Sequence, residues 1–196
     1  ALDHVVDTDR GTTIGEGAGL VQTVEHFLAA VASLGIDNLV VEMDGPEPPA
    51  ADGSARDFVQ MLRAAGVSEQ ASAAKRLTLK EPFSFREGDA EYVVTPSEAF
   101  DVSATIQFDH PLIGRQQGRY TPTADNFRDE LARARTFGFV REVEWLRGRG
   151  LIKGASTANA VVLDEAGVID TVLRWPDEFV RHKALDCLGD LALAGA

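Results

Sequence analysis

Hydrophobic positions along the chain follow two periods, and the change between them comes near residue 70. In the first part the period is helical. Val24, Phe27, Leu28 and Val31 recur at three- and four-residue spacing, which predicts a helix with Thr23 as its N-cap and Gly35 as its stop. Residues 36–43 have a β-branched centre and predict a strand, and residues 44–53 form a turn-rich connection. Ser54 is placed to cap a second helix running to about Ala65, with Phe58, Met61 and Leu62 on its buried face. Residues 66–74 are small and polar and mark a candidate domain boundary. Beyond it the pattern shortens to strands at 76–80, 82–86, 90–95 and 101–108. The last alternates Val102, Ala104, Ile106 and Phe108 in the period of a half-buried strand.

His110 precedes Pro111, which favours an extended, exposed position. A helix over 124–134, a turn through Thr136, an element over 140–149 and an apolar strand over 158–164 follow. Pro176 and Asp177 then open a last helix that closes at Leu193, with Gly195 as terminator. Glycines at 15, 17 and 19 match no phosphate-loop spacing, so residues 1–20 read as a turn-rich hairpin. The acidic residues Asp44, Glu47 and Asp52 lack calcium-loop spacing and read as turn residues. Two sheet-and-helix units emerge, each closing on a long helix that carries a histidine.

Composition narrows the function classes. With 196 residues, 44% hydrophobic, the chain can bury a core without disulfides. The net charge of −12 argues against a nucleic-acid scaffold, while leaving room for a locally basic pocket. Cys187 is the only cysteine, which fits a reducing compartment, and a cytoplasmic location is expected. No apolar run approaches the ~20 residues that span a bilayer.

The chemistry concentrates on the last helix. His182 and Asp186 are four residues apart and project from one face, with Asp190 one turn further on. His26 in the first predicted helix completes a set of two histidines and one carboxylate. Such a set can hold zinc with a position left for water, or iron for oxygen chemistry. Glu25 beside His26 favours hydrolysis, because a carboxylate there is placed to take a proton from water activated by the metal. Read alone, Glu25 and His26 are better explained as a surface glutamate and a hydrogen-bonded core histidine. Spacing leaves a non-catalytic metal-binding or structural domain open as well.

Thr23-Val-Glu-His-Phe-Leu-Ala-Ala, Leu34-Gly-Ile-Asp-Asn-Leu and Asp52-Gly-Ser resemble, in order, the UDP-3-O-acyl-N-acetylglucosamine deacetylases of lipid A biosynthesis. So do Phe108-Asp-His-Pro, Ala134-Arg-Thr-Phe-Gly-Phe and Phe179-Val-Arg-His-Lys-Ala-Leu-Asp-Cys-Leu-Gly-Asp190. The resemblance implies an α+β fold of two similar domains, each a β-sheet layered against helices, here 1–70 and 71–196. It implies an insert of the second domain around 137–162, forming an apolar passage for an acyl chain. It further implies a zinc amidase that removes acetate from a UDP-linked acylated N-acetylglucosamine. His26, His182 and Asp186 match the zinc ligands and Glu25 the general base. Thr136 matches the residue that steadies the oxyanion, and Asp190 the one that orients a second catalytic histidine. Lys183, Phe108, His110 and Phe137 match substrate-binding positions, and a monomer is expected. Family members extend before the residue matching Ala1 and after the one matching Ala196, where that second histidine lies. The chain is therefore expected to be a segment that keeps its zinc ligands but deacetylates poorly by itself.

Overall fold

In the computed structural model, which describes residues 2–74, 76–148 and 156–195, two helices packed against each other organise the rest of the chain. α1 (Glu25–Ser33) and α5 (Glu178–Ala192) come from opposite ends of the sequence. Their crossing is tight because α5 presents Gly189, where an added Cβ would lie 1.9 Å from the backbone oxygen of Glu25. Any larger residue would force the helices apart.

Ahead of α1, strands β1 (Val5–Asp7), β2 (Thr13–Glu16) and β3 (Gly19–Val21) form an antiparallel sheet in that order. β2 and β3 are the expected hairpin. Gly15 within it has φ +148°, and a Cβ there would come 2.1 Å from the Gly19 carbonyl oxygen, so only glycine fits the close strand approach. α2 (Arg56–Ala65) packs on α1, with an edge-to-face contact between Phe27 and Phe58 at 5.5 Å.

Two hairpins follow, β4 (Phe83–Glu87) with β5 (Ala90–Val94), and β6 (Val102–Gln107) with β7 (Arg115–Tyr120). The β6–β7 pair lies against α5. α3 (Ala124–Asn126) is capped by the Thr123 side chain, which accepts the Asn126 N–H at 3.2 Å. It widens at once into a π turn, Phe127–Leu131, closed by the Ala132 N–H on the Phe127 oxygen at 2.7 Å. The extra residue lets both Phe127 and Leu131 reach the core. β8 (Phe137–Phe139) pairs in parallel with β9 (Val161–Leu163), which pairs with β10 (Val168–Ile169), and α4 (Val140–Gly148) follows β8 directly. One apolar cluster joins α1, α2, β6, β7, the π turn and α5 through Phe27, Phe58, Leu62, Val102, Phe127 and Leu185. A second, around Phe139, Val161, Leu163 and Phe179, lies beneath the β8–β9–β10 sheet. The class is α+β, as expected.

Several local expectations are corrected. Residues 36–43 form no strand, because no neighbouring chain pairs with them among the described residues, and Val40 is 89% exposed. Residues 76–80 lack a ladder partner in the same way. The helix over 124–134 ends at Leu131, in the π turn. The buried stripe of α2 is Ala55, Phe58, Val59 and Leu62, so Met61 falls outside it and is exposed. Thr23 is not a cap: it has φ +53°, Val24 occupies the cap position, and no side chain caps α1. Ser54 instead donates its hydroxyl to Asp52 at 2.6 Å while accepting the Arg56 N–H at 3.3 Å. Asp177 spends its carboxylate on Arg181 at 2.7 Å rather than on helix amides. The central part of the expected insert, residues 149–155, lies outside the described residues.

Candidate functional site

The α1–α5 crossing sets the first turn of one helix against the middle of the other. It thereby brings Glu25 and His26 onto His182, Asp186 and Asp190. His26 Nε2 lies 3.4 Å and His182 Nε2 3.3 Å from the same oxygen, Asp186 Oδ1. The two imidazole rings meet edge to face with centroids 4.9 Å apart. One donor atom from each of the three residues falls within 4.8 Å of the others. Asp186 Oδ1 is buried and has no hydrogen-bond partner among the described residues. A buried carboxylate oxygen without a donor is costly unless a cation completes it.

The protonation states of His182 and Asp186 suit a cation, whereas burial at His26 is outweighed by Asp186 and Glu25, which raise its pKa. His182 donates Nδ1–H to the Ala134 carbonyl at 3.0 Å, because a carbonyl can only accept. That fixes the tautomer and leaves the Nε2 lone pair facing Asp186. Burial pushes the His182 pKa down to about 4, so the ring is neutral at neutral pH. Burial opposes the charge on Asp186, but His182, Lys183 and His26 outweigh it and hold the carboxyl well below the ordinary range. Lys183 donates to Asp186 Oδ2 at 2.9 Å, occupying the oxygen that faces away from the two rings.

Glu25 is buried, against the surface position open to it on sequence, and burial raises its pKa. Its Oε2 accepts the Thr12 N–H at 2.9 Å. Gly11 adjoins the other oxygen: a Cβ there would be 3.2 Å from Oε1. Asp190, also raised by burial, accepts the Thr12 hydroxyl at 2.6 Å.

A second wall comes from 134–137. The Thr136 N–H donates to the Gly53 oxygen at 2.7 Å, and its carbonyl accepts the Val161 N–H at 2.8 Å. Gly53 must be glycine, since a Cβ there would lie 2.0 Å from the Asn159 oxygen. Phe137 stands between the triad and the second cluster, with its ring 6.4 Å from that of His182, 5.0 Å from Phe179 and 5.5 Å from Phe108. The Lys183 ammonium lies 5.7 Å from the same ring.

A model of the UDP-3-O-acyl N-acetylglycosamine deacetylase family matches residues 1–196. The chain belongs to this family. It is 46% identical over 194 residues to the UDP-3-O-acyl-N-acetylglucosamine deacetylase of Myxococcus xanthus, covering 98% of this chain and 62% of that protein. The proteins of the same name from Anaeromyxobacter sp. (47% identical; 98% of this chain, 64% of theirs) and Syntrophus aciditrophicus (43%; 99% and 62%) are similar. The chain thus spans a little under two thirds of the length of these curated relatives. The family is one of metalloenzymes, and the His26, His182 and Asp186 group can hold a metal ion.

The family member's expected site residues divide by place. Glu25, His26, His182, Lys183, Asp186 and Asp190 gather at the helix crossing, and Phe137 and Phe108 extend from it as an aromatic wall. His110 does not stand exposed as its proline neighbour suggested. It is buried, with Nε2 2.7 Å from the Asp164 oxygen and Nδ1 accepting the Leu112 N–H at 3.2 Å. It borders a cavity of about 410 Å³ shared with Phe139, Arg141 and Asp164. Sequence reasoning gave no role to Thr12, nor to Arg135 and Glu178, whose buried ion pair at 2.8 Å ties the Thr136 segment to α5. The available signal was a single charge, Arg135, inside the largely apolar Ala134–Phe139 stretch, and an acidic residue, Glu178, at the head of the last helix. No helix among the described residues is long and apolar enough to cross a membrane.

Proposed function

We propose that the protein is a zinc-dependent amidase that hydrolyses the acetamide of a UDP-linked 3-O-acylated N-acetylglucosamine, releasing acetate in lipid A synthesis. The observation that carries this reading is the buried, unpartnered Asp186 Oδ1 facing two imidazole nitrogens, with the Glu25 carboxylate alongside. His26, His182 and Asp186 are the ligands in this reading, two nitrogens and one oxygen, as zinc hydrolases use. Zinc held there supplies a Lewis acid for the amide carbonyl and makes water acidic near neutral pH.

The chain's own groups do the rest. Glu25, steadied through Oε2 by the Thr12 N–H, takes the proton of the attacking water at Oε1 and is suited to this by its raised pKa. The Thr136 hydroxyl donates to the negative charge that develops on the carbonyl oxygen, a contact stronger in the transition state than in the ground state. Asp190 orients a protonated group beside the leaving amine. Lys183 carries positive charge toward the substrate, Phe137 and Phe108 pack on its apolar parts, and the cavity beside His110 and Arg141 takes the nucleotide. Two domains, 1–70 and 71–196, would meet at this site, with 137–162 shaping an acyl passage. The lone cysteine accords with a cytoplasmic setting.

The test uses the protein at its full natural length with UDP-3-O-acyl-N-acetylglucosamine. One acetate and one free amine are expected per substrate, with activity lost on dialysis against a chelator and restored by Zn²⁺. Zinc-loaded protein that releases no acetate would overturn the assignment.

A further inference from the structure

One residue outside the expected site spends every polar group it has on the helix crossing. Thr12 is 6% exposed and lies just before β2. Its N–H donates to Glu25 Oε2 at 2.9 Å, and its carbonyl accepts the Val24 N–H at 3.1 Å. Its hydroxyl donates to Asp190 Oδ1 at 2.6 Å, a short bond to a carboxylate. The two carboxylates it touches stand on the two helices that carry the His26, His182 and Asp186 group, Glu25 on α1 and Asp190 on α5. The backbone around this junction is held in unusual conformations. Arg10 and Thr23 both have positive φ, +65° and +53°, which surrounding contacts must maintain in residues other than glycine.

We propose that Thr12 is a positioning residue that holds Glu25 and Asp190 at fixed places around the metal group. The inference rests on the amidase reading for its consequence and on geometry for its substance. The Thr12 hydroxyl occupies Asp190 Oδ1 and so leaves Oδ2 as the oxygen that serves the reaction. Without that hydroxyl the Asp190 carboxylate is free to turn about its side chain, while the Thr12 N–H still holds Glu25. The effect of removing the hydroxyl therefore runs through Asp190 and leaves the three ligands in place.

The experiment compares Thr12→Val, which keeps shape and backbone, with Thr12→Ser, which keeps the hydroxyl, in the zinc-loaded protein of full natural length. Thr12→Val is expected to lower kcat about tenfold at unchanged KM and zinc content. Thr12→Ser is expected to stay within about twofold of wild type. Added to Asp190→Asn, Thr12→Val should cost little more, because residues acting as a unit are not additive. A crystal structure of Thr12→Val should show the Asp190 carboxylate turned, and that of Thr12→Ser should show it in place. This structural readout decides the positioning role even if wild-type protein released no acetate, an outcome that would count against the amidase reading alone. Wild-type kcat in Thr12→Val, or an unmoved Asp190, overturns the proposal. So does loss of zinc and folding in Thr12→Val that Thr12→Ser fails to restore, since the role would then be structural.

Discussion

Glu25→Gln is expected to keep one zinc per chain and to lower kcat by about 10²–10⁴-fold, the range a positioned general base contributes. The substitution is nearly isosteric. The glutamine oxygen can still accept the Thr12 N–H that now donates to Oε2 at 2.9 Å, so the fold around it is kept. What disappears is a group able to take a proton. The raised pKa of Glu25 follows first from its burial, countered by neighbouring His26 and the Thr12 amide. Burial of this kind raises the basicity of a carboxylate, the direction that general-base work calls for. KM should change little, since the lost interaction is made in the transition state. Steady-state acetate release with metal analysis of the same sample checks this. A Glu25→Gln protein with zinc bound and wild-type kcat would remove Glu25 from the chemistry.

The largest expected effect on stability comes from Glu178→Ala. Glu178 is fully buried and ties Arg135, in the middle of the 134–136 segment, to α5. Its Oε1 accepts the Arg135 backbone N–H at 3.1 Å and Nε at 2.8 Å, and its Oε2 accepts Arg135 Nη2 at 3.1 Å and the Arg174 N–H at 2.6 Å. Removing the carboxylate leaves the Arg135 guanidinium buried without its counter-ion. Among the described residues, the Thr171 hydroxyl at 2.9 Å and the Val172 carbonyl at 2.7 Å would remain to it. Breaking a buried pair from one side costs about 3–5 kcal/mol. For a chain of this size that corresponds to a fall in Tm of about 6–20 °C. Glu178→Gln keeps acceptor capacity and should fall by clearly less. The damage also reaches the site, because the Ala134 carbonyl that orients His182 lies beside the anchored Arg135. Thermal denaturation of both variants checks the order. A Tm for Glu178→Ala within about 2 °C of wild type would mean that the Arg135 guanidinium is not left buried and uncompensated, against this reading of the pair.

The two helices that carry the site were legible because their information is local. Val24, Phe27 and Val31 repeat at helical spacing, and His182, Asp186 and Asp190 mark one face at four-residue intervals. The meeting of those helices was suggested only by their ligand-type side chains and the family resemblance, and its geometry was not legible. It depends on Gly189 against the Glu25 backbone, a contact between residues more than 160 positions apart that no periodicity records.

Strand pairing was harder still. β7 runs Arg-Gln-Gln-Gly-Arg-Tyr, too polar to suggest a strand, and exists because β6 pairs with it residue for residue from Val102–Tyr120 to Gln107–Arg115. The more apolar residues 36–43 lack such a neighbour and stay unpaired. Within the site, ligand-type side chains announce themselves by chemistry, whereas Thr12 looks like any threonine before a strand. Its importance comes from three hydrogen bonds, two to the start of α1 and one to Asp190 on α5, and the last forms only once the two helices have met.

The central claim is that His26, His182 and Asp186 together hold zinc. X-ray absorption at the zinc edge, on protein of full natural length, tests it most directly. One zinc per chain is expected, with two nitrogen ligands at about 2.0–2.1 Å and carboxylate oxygen at about 2.0–2.2 Å. That metal should be lost in His182→Ala and Asp186→Ala. An unchanged spectrum and full zinc content in both variants would contradict the claim.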